Sequence, residues 1–175
     1  MERGHVSFLG SRSAAESAKP YLADTGEVGG IYRQAGEVEA LERPTTTARF
    51  VAPGSVTEGR FGLFRWQMAP RAGGPGAHFH RTFSESFYVI GGTVRLFNGE
   101  TWVDATAGDF LYVPEGGIHA FRNDSDEPAD MLILFAPGPP RERYFQELAE
   151  VADKGLELSH EEWVDLWARH DQYMV

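Results

Sequence analysis

The sequence predicts an all-β protein: an antiparallel jelly-roll β-barrel with an N-terminal arm before it and two C-terminal helices after it. Three observations support this fold class. Segments rich in β-forming residues and bounded by turn signals follow one another from about residue 45 to residue 137. The pair Asn98-Gly99, a strong hairpin signal, lies between two of these segments. From Arg141 onward the apolar residues recur at helical spacing instead.

Length and composition limit the possible organisation and partners. A chain of 175 residues is long enough for one domain, which we divide into an arm (1–44), a barrel (45–137) and a helical segment (138–175). The net charge is -10, with 26 acidic against 16 basic residues, so we expect no nucleic-acid or anionic-membrane partner. The absence of cysteine excludes disulfides, thiolate chemistry and a structural zinc site.

The apolar segments are all short. The first residues lead into no apolar stretch of signal-peptide length. The longest apolar run, residues 131–136, is far shorter than a membrane span and fits a buried strand. We therefore expect a cytoplasmic protein without a membrane partner.

The strands can be placed in chain order. Glycines interrupt the arm, where we expect at most one short strand or helix, and the first barrel segment reads as an edge strand that ends at Pro53-Gly54. The predicted strands cover residues 45–51, 61–68, 78–80, 85–90, 93–97, 100–103, 110–113 and 131–135. A two-residue turn at Asn98-Gly99 would pair Val94 with Val103 and Arg95 with Trp102.

Two helices follow the barrel. The first presents one apolar face, formed by Tyr144, Phe145, Leu148, Val151 and Ala152. Ser159 and Glu162 form a capping box at the start of the second, whose stripe is Trp163, Leu166, Trp167 and His170. One interpretation is that the helices cover the outer face of the barrel or form a subunit contact. The alternative is that they form a lid over the barrel mouth.

Four potential metal ligands lie between residues 77 and 123. His78 and His80 alternate along a strand, so both side chains lie on one face, about 7 Å apart. Glu85 is at an odd offset from His80, so residues 81–84 must turn or bulge for it to join them. His119 follows Glu85 by 34 residues and can join only through non-local strand pairing. Burying these four groups without a cation would be costly, which favours a metal site.

The same residues lie in two motifs that resemble the signatures of the cupin superfamily. The first motif runs Gly73-Gly74-Pro75-Gly76-Ala77-His78-Phe79-His80, with Glu85 and Gly92 after it. The second contains Gly108, Pro114, Gly116, His119 and Asn123 at the family's spacing. One departure is Ala72, where the family usually has a glycine; it touches a turn and no ligand.

The resemblance implies a jelly-roll barrel with one divalent metal inside. The implied ligands are His78, His80, Glu85 and His119, with one or two positions left for water, substrate or dioxygen. Such a donor set suits iron, manganese, nickel, cobalt, copper or zinc. A barrel that keeps these ligands but works without metal is the alternative. Asn123, four residues after His119 on the same strand face, either supports the metal ligands or stabilises a turn. By resemblance we also expect a homodimer.

The strand pattern predicts an apolar, aromatic pocket around the ligands. Phe87, Val89 and Phe121 share faces with the ligands, and Phe64 and Trp66 can extend the wall. This lining favours a small planar or aromatic molecule, although core packing explains the same aromatics equally well. Glu85 is the candidate catalytic residue, because a carboxylate can bind metal and also accept a proton from a substrate hydroxyl.

Three functions from different classes remain after the sequence has been read. Residues 138–148 resemble the tail of single-domain, quercetin-dioxygenase-like cupins, which favours a metal-dependent oxygenase acting on an aromatic or enolic hydroxyl compound. A metal-assisted isomerase or cyclase that stabilises an enolate is the second hypothesis. A non-catalytic small-molecule-binding module is the third, since this fold hosts many functions.

Overall fold

The structure, a computed structural model, describes residues 20–175. Residues 32–175 form one compact unit. Of the unit that precedes it, residues 20–31 are described, and there the Tyr21 hydroxyl donates to the Thr25 carbonyl oxygen at 2.8 Å. The first 19 residues of the predicted arm lie outside the described part.

The described part contains a short 3-10 turn at Ala35–Glu37, eleven strands and two α-helices. The strands are β1 (Ala40–Glu42), β2 (Thr46–Ala52), β3 (Gly62–Met68), β4 (His78–Phe79), β5 (Ser84–Gly91), β6 (Thr93–Phe97), β7 (Trp102–Thr106), β8 (Phe110–Val113), β9 (Ala120–Arg122), β10 (Ala129–Ala136) and β11 (Tyr173–Met174). The helices are α1 (Arg141–Asp153) and α2 (His160–Arg169).

These strands form the predicted antiparallel jelly-roll barrel. Its larger sheet has the order β1-β2-β3-β10-β5-β8, its smaller sheet has the order β7-β6-β9, and β4 pairs with the C-terminal β11. The non-consecutive neighbours place β10, late in the chain, between β3 and β5. Ile133 in β10 therefore pairs with Phe64 on one side and Phe87 on the other.

Aromatic side chains from the strands and from α1 fill the core. Alternate residues of β10 are buried, as expected for a strand with one face toward the interior. Phe64 is fully buried and meets Phe50, Phe135 and Phe145 edge to face, with ring centroids 5.5 to 5.6 Å apart. Because Phe145 belongs to α1, the first helix is part of the core.

For two of the predicted strand segments, the pairing with neighbouring strands was predicted wrongly. The segment at residues 45–51 was predicted as an edge strand, but β2 lies between β1 and β3. The register at Asn98-Gly99 was also wrong, because the observed pairs are Val94 with Ala105 and Arg95 with Asp104. The Asn98 side-chain oxygen accepts the N–H groups of Glu100 and Thr101 at 3.0 and 2.8 Å, which stabilises a longer turn.

The C-terminal helices form where the sequence predicted them, and the capping box of Ser159 and Glu162 is present. In α1 the predicted Ala152 is exposed, whereas Arg141, which the pattern did not include, is buried. Beyond α2 the chain returns as β11, so that Met174 pairs with His78. No helix in residues 20–175 has both the length and the apolar character required to cross a bilayer.

Candidate metal centre

Three segments of the barrel bring the four predicted ligands together. His78 opens β4, His80 follows it directly, and Glu85 is the second residue of β5. His119 precedes β9, and its backbone exchanges two hydrogen bonds with His78, of 3.0 and 2.9 Å. This non-local bridge is the pairing that the sequence required before His119 could join the other ligands.

The turn between His80 and Glu85 is held by a residue from the end of the chain. The Asp171 carboxylate accepts the backbone N–H groups of Arg81 and Thr82, at 3.0 and 2.8 Å, and also the Thr82 hydroxyl. Phe83 inside the turn is buried and stacks on the His80 ring, with centroids 4.2 Å apart. The turn therefore reverses the odd offset and directs Glu85 to the same side as the histidines.

The four ligand groups form one compact, buried cluster. One ligand atom from each of His78, His80, Glu85 and His119 lies within 4.8 Å of the others, and no residue of the four is more than 4% exposed. Glu85 Oε2 lies 3.0 Å from His80 Nε2 and 2.8 Å from His119 Nε2. The spacing matches ligands arranged around a single ion.

Backbone carbonyl groups fix the tautomer of all three imidazoles. Nδ1 of His78 lies 2.8 Å from the Gly76 carbonyl oxygen, and Nδ1 of His119 lies 3.0 Å from that of Gly117. Nδ1 of His80 lies 2.6 Å from the carbonyl oxygen of Asp171. Because a carbonyl oxygen only accepts, each Nδ1 must donate, and each neutral ring then has its lone pair on Nε2.

This arrangement fits a bound cation. The lone pairs of His80 Nε2 and His119 Nε2 both face one carboxylate oxygen of Glu85 at hydrogen-bond distance. Facing lone pairs repel unless a proton or a metal ion lies between them. Three imidazole nitrogens and one carboxylate are also the donor types that divalent transition metals prefer. The residues present therefore fit the metal that the resemblance implied.

The electrostatics of the metal-free cluster agree with such a site. Burial acts to raise the pKa of Glu85, but His119 and His80 outweigh it and hold that pKa well below its ordinary value. Burial acts to lower the pKa of His119, but the Glu85 carboxylate outweighs it and raises that pKa. Burial, together with His119, lowers the pKa of His78 to about 3, so His78 is neutral at physiological pH.

A cavity of about 380 Å³ adjoins the cluster, with His78 and Glu85 in its wall. Two of the five predicted lining residues, Trp66 and Phe121, do line it. Phe64, Phe87 and Val89 lie in the core instead, each 0% exposed. The remaining wall comes from residues 45–46, from the loop at residues 73–76, from Ile133 and Phe135 of β10, and from the C-terminal segment. The C-terminal segment contributes Arg141, Tyr144, Phe145, Leu148, Trp167, Gln172 and Met174.

The C-terminal segment therefore lines the cavity beside the metal ligands, which agrees better with the lid alternative than with a cover on the outer face alone. Sequence reasoning missed Arg141 and Asp171, because Asp171 falls in no motif and the tail resemblance at residues 138–148 assigned no role to Arg141. A weak signal was present for Arg141, a charged residue at the start of an apolar helix.

Asn123 has a turn role: its side-chain amide donates hydrogen bonds to the carbonyl oxygens of Ala69 and Glu127, at 2.9 and 2.8 Å.

Comparison with protein families identifies the barrel. A family model described as "Cupin domain" matches residues 64–135, from β3 to β10, and this range contains all four candidate ligands. The barrel is a cupin domain. The cupin resemblance of the two motifs is thus confirmed, and the departure at Ala72 does not disturb the fold.

Two curated proteins are similar to this cupin over most of its length. It is 29% identical over 137 residues to quercetin 2,3-dioxygenase from Bacillus subtilis (strain 168), covering 76% of this chain. The chain spans 40% of that enzyme's length. It is 27% identical over 127 residues to the polyketide synthase CurC from Streptomyces cyaneus, covering 72% of this chain and 75% of that protein.

A solved structure shows the same fold. The polyketide cyclase RemF from Streptomyces resistomycificus superposes with a TM-score of 0.53 at 19% identity, covering 67% of this cupin and 94% of that chain. At this level of identity the likeness establishes the barrel architecture.

Proposed function

We propose that this cupin is a metal-dependent oxygenase that acts on a small aromatic or enolic hydroxyl compound. One observation carries the proposal: three imidazoles and a carboxylate converge beside a cavity whose wall is largely apolar and aromatic. The similarity to a quercetin 2,3-dioxygenase supports this reaction class over others. Its substrate would bind in the cavity, next to Glu85.

A divalent transition metal held by His78, His80, Glu85 and His119 would polarise a bound hydroxyl group and, if redox-active, supply one-electron chemistry. The carbonyl groups of Gly76, Asp171 and Gly117 hold the proton of each neutral ring on Nδ1, which leaves Nε2 available to a metal. These contacts hold the rings in position before a substrate arrives.

Glu85 is the proposed proton acceptor. Its carboxylate lines the cavity and is ionised at neutral pH, because its pKa lies well below the ordinary value. An ionised carboxylate within hydrogen-bond distance of a substrate hydroxyl can take up its proton. The resulting substrate anion would be the electron-rich form that an oxygenase requires.

The remaining cavity wall selects for ring systems. Trp66 and Phe121 meet edge to face, with centroids 5.9 Å apart, and Phe145 packs against Trp66 at 5.2 Å. Such a wall excludes water and can stack on a planar ligand. The cavity volume of about 380 Å³ lies at the lower end of the range of small-molecule sites, which favours compact ligands.

Oxygen uptake tests the proposal directly. The purified protein would be loaded separately with iron, manganese, nickel, cobalt, copper and zinc, and oxygen consumption measured with quercetin and with catechol. We expect consumption with at least one redox-active metal, and its loss in Glu85→Gln. His160→Gln, which changes an exposed histidine at the start of α2, is the matched control. Substrate turnover without oxygen consumption would contradict the proposal.

A metal-assisted cyclase or isomerase is the second candidate, and the similarity to CurC favours it. In that case the metal centre would stabilise an enolate, and Glu85 would move a proton without any redox step. Turnover under argon, also with zinc in the site, would distinguish this reaction from the oxygenase. A metal-loaded protein that binds these compounds but changes none of them, in air or argon, would indicate a binding module.

A further inference from the structure

Arg141, the first residue of α1, is a buried cation at the metal-centre cavity. The residue is 4% exposed and lines the same cavity as His78 and Glu85. Arginine is rarely buried without an acidic partner, because removing its charge from water is costly. The contacts of this side chain therefore indicate what the cavity is built to receive.

The guanidinium has only neutral partners within residues 20–175. Its Nη1 donates to the His170 carbonyl oxygen and its Nη2 donates to Gln172 Oε1, each at 3.0 Å. Its buried Nε has no partner, and the same holds for Nε1 of Trp66, another cavity residue. Two of the five N–H donors of the guanidinium are thus used.

Six of the eleven other arginines in residues 20–175 behave differently. These six form ion pairs with carboxylates, and their side chains are 27 to 63% exposed: Arg43, Arg65, Arg71, Arg95, Arg122 and Arg169. Arg141 has the opposite combination, since it is buried and makes no ion pair in the described part of the chain. A guanidinium placed only for stability would gain more from a carboxylate partner than from two neutral acceptors.

Aromatic rings hold the guanidinium where it is. Its central carbon lies 4.2 Å from the Tyr144 ring centroid, 5.2 Å from that of Phe135 and 5.5 Å from that of Phe145. Cation–π contacts of this kind offset part of the desolvation cost and leave the charge unneutralised. Burial lowers the pKa of Arg141, and the Glu85 charge opposes that shift.

A metal in the centre would change this charge balance. The Glu85 carboxylate would then be shared with a divalent cation, leaving one net positive charge on the centre, and Arg141 adds a second. A cavity with two positive charges in its wall favours an anionic occupant.

We propose that Arg141 binds an anionic oxygen of the cavity ligand, so that the substrate class is an aromatic compound carrying a carboxylate or an ionised hydroxyl group. The inference deepens the proposed function, on which it rests only for placing a ring system in this cavity. Arg141 contacts the ligand, while Gln172 and the His170 carbonyl orient the guanidinium.

Binding of a charged and a neutral probe tests the inference without turnover. Benzoate and benzamide have nearly the same shape, and calorimetric titration at neutral pH gives their affinities for the full chain in zinc-loaded and metal-free forms. We expect the wild type to bind benzoate about tenfold more tightly, the gain typical of one charge-assisted hydrogen bond. Equal affinities, or no binding of benzoate, would overturn the inference whatever the variants do.

Variants at position 141 separate ligand binding from a structural role. In Arg141→Gln the benzoate affinity should fall about tenfold while benzamide affinity stays within about twofold, whereas Arg141→Lys should keep part of the preference. Arg143→Gln, which removes an exposed charge from the same helix outside the cavity wall, is the control and should retain the full preference. Equal loss of both probes in Arg141→Gln would assign Arg141 a structural role and refute the proposal.

These measurements are independent of the oxygenase proposal. A protein that prefers benzoate through Arg141 but consumes no oxygen would keep the anion site and reject the oxygenase. A protein that consumes oxygen with catechol but binds both probes alike would do the reverse.

Discussion

At the scale of single residues, the centre depends on which nitrogen of each imidazole is free. The three Nδ1 atoms are occupied by carbonyl oxygens, and two of those carbonyls, of Gly76 and Gly117, lie two residues before their histidines. Local backbone geometry therefore sets two rings. The third ring, of His80, depends on Asp171, which lies 91 positions away in the chain.

The raised pKa of His119 predicts a pH-dependent metal affinity. Because Glu85 stabilises the protonated ring, His119 in the metal-free protein keeps its proton above its ordinary pKa of 6.5. A metal must displace that proton, so its affinity should rise about tenfold per pH unit below the raised pKa and level off above it. Zinc titrations with a competing chelator between about pH 6 and pH 9 measure this slope. A flat profile would contradict the proposed role of His119.

Asp171 should control metal affinity from outside the ligand set. Its φ of 53° suits glycine, so Asp171→Gly removes the carboxylate without adding backbone strain. We expect a loss of about tenfold to a hundredfold in zinc affinity, because the turn after His80 and the carbonyl on its Nδ1 both lose their anchor. Asp171→Asn keeps one acceptor oxygen and should lose less. Unchanged affinity in the glycine variant would show that the tail does not position His80.

The ligands could be predicted from the sequence, and the residues around them could not. His78 and His80 alternate on a strand, and their motif fixes Glu85 and His119 by resemblance. Arg141 and Asp171 meet the site only through tertiary contacts, over 56 and 91 positions, so no local pattern marks them. Phe64, Phe87 and Val89 show the converse error, because sharing a face with a ligand is equally consistent with the core.

At the scale of elements, residue composition and apolar–polar alternation predicted most strands. Which strands pair with each other depends on distant parts of the chain and was not predicted from these patterns. Strand β2 looked like an edge because its partner β1 has three residues and lies in the glycine-interrupted arm. Strand β11 was not predicted, because two residues are too few to show the alternation typical of a strand. At the β6–β7 turn, side-chain bonds of Asn98 overrode the two-residue turn that the pair Asn98-Gly99 favours.

Helix α1 should stabilise the barrel through Phe145. This ring is 8% exposed and lies 5.5 Å from Phe64 and 5.2 Å from Trp66, measured between centroids. Phe145→Ala should lower the free energy of unfolding by about 3–5 kcal/mol, because it leaves a cavity between helix and sheet. Urea unfolding of the metal-free protein measures this. Val164→Ala, at an α2 residue that is 46% exposed, should change the free energy of unfolding by less than about 0.5 kcal/mol.

If the free energy of unfolding of Phe145→Ala is close to that of Val164→Ala, the packing of α1 against the barrel does not stabilise the fold. The aromatic face of this helix was predicted from its spacing, and its contact with the core was not. Helical periodicity identifies a face to be buried but does not identify the surface that buries it.

At the scale of the whole molecule, an exposed aromatic surface supports the predicted homodimer. Tyr88 and Ile90 of β5 and Phe110 and Tyr112 of β8 lie on the outer face of the larger sheet, 41 to 64% exposed. Clustered exposed aromatics of this kind are typical of protein interfaces. A second copy of the chain, meeting this face, would cover them.

Sedimentation velocity tests this arrangement. We expect the wild type to sediment with twice the mass of one chain, and Tyr112→Lys to shift it toward the monomer, because a lysine charge would be buried in the contact. Val164→Lys, which changes an exposed position of α2, is the control. A monomeric wild type at micromolar concentration would refute the homodimer.

Both proposed catalytic functions require one cation held where three distant segments of the barrel meet. Elemental analysis of the protein after saturation and desalting, in wild type and in His119→Ala, tests it most directly. We predict one divalent transition metal per wild-type chain, at least tenfold less in His119→Ala, and full retention in the exposed-site control His160→Ala. A wild type that retains no metal, or a His119→Ala variant that retains as much as the wild type, would contradict it.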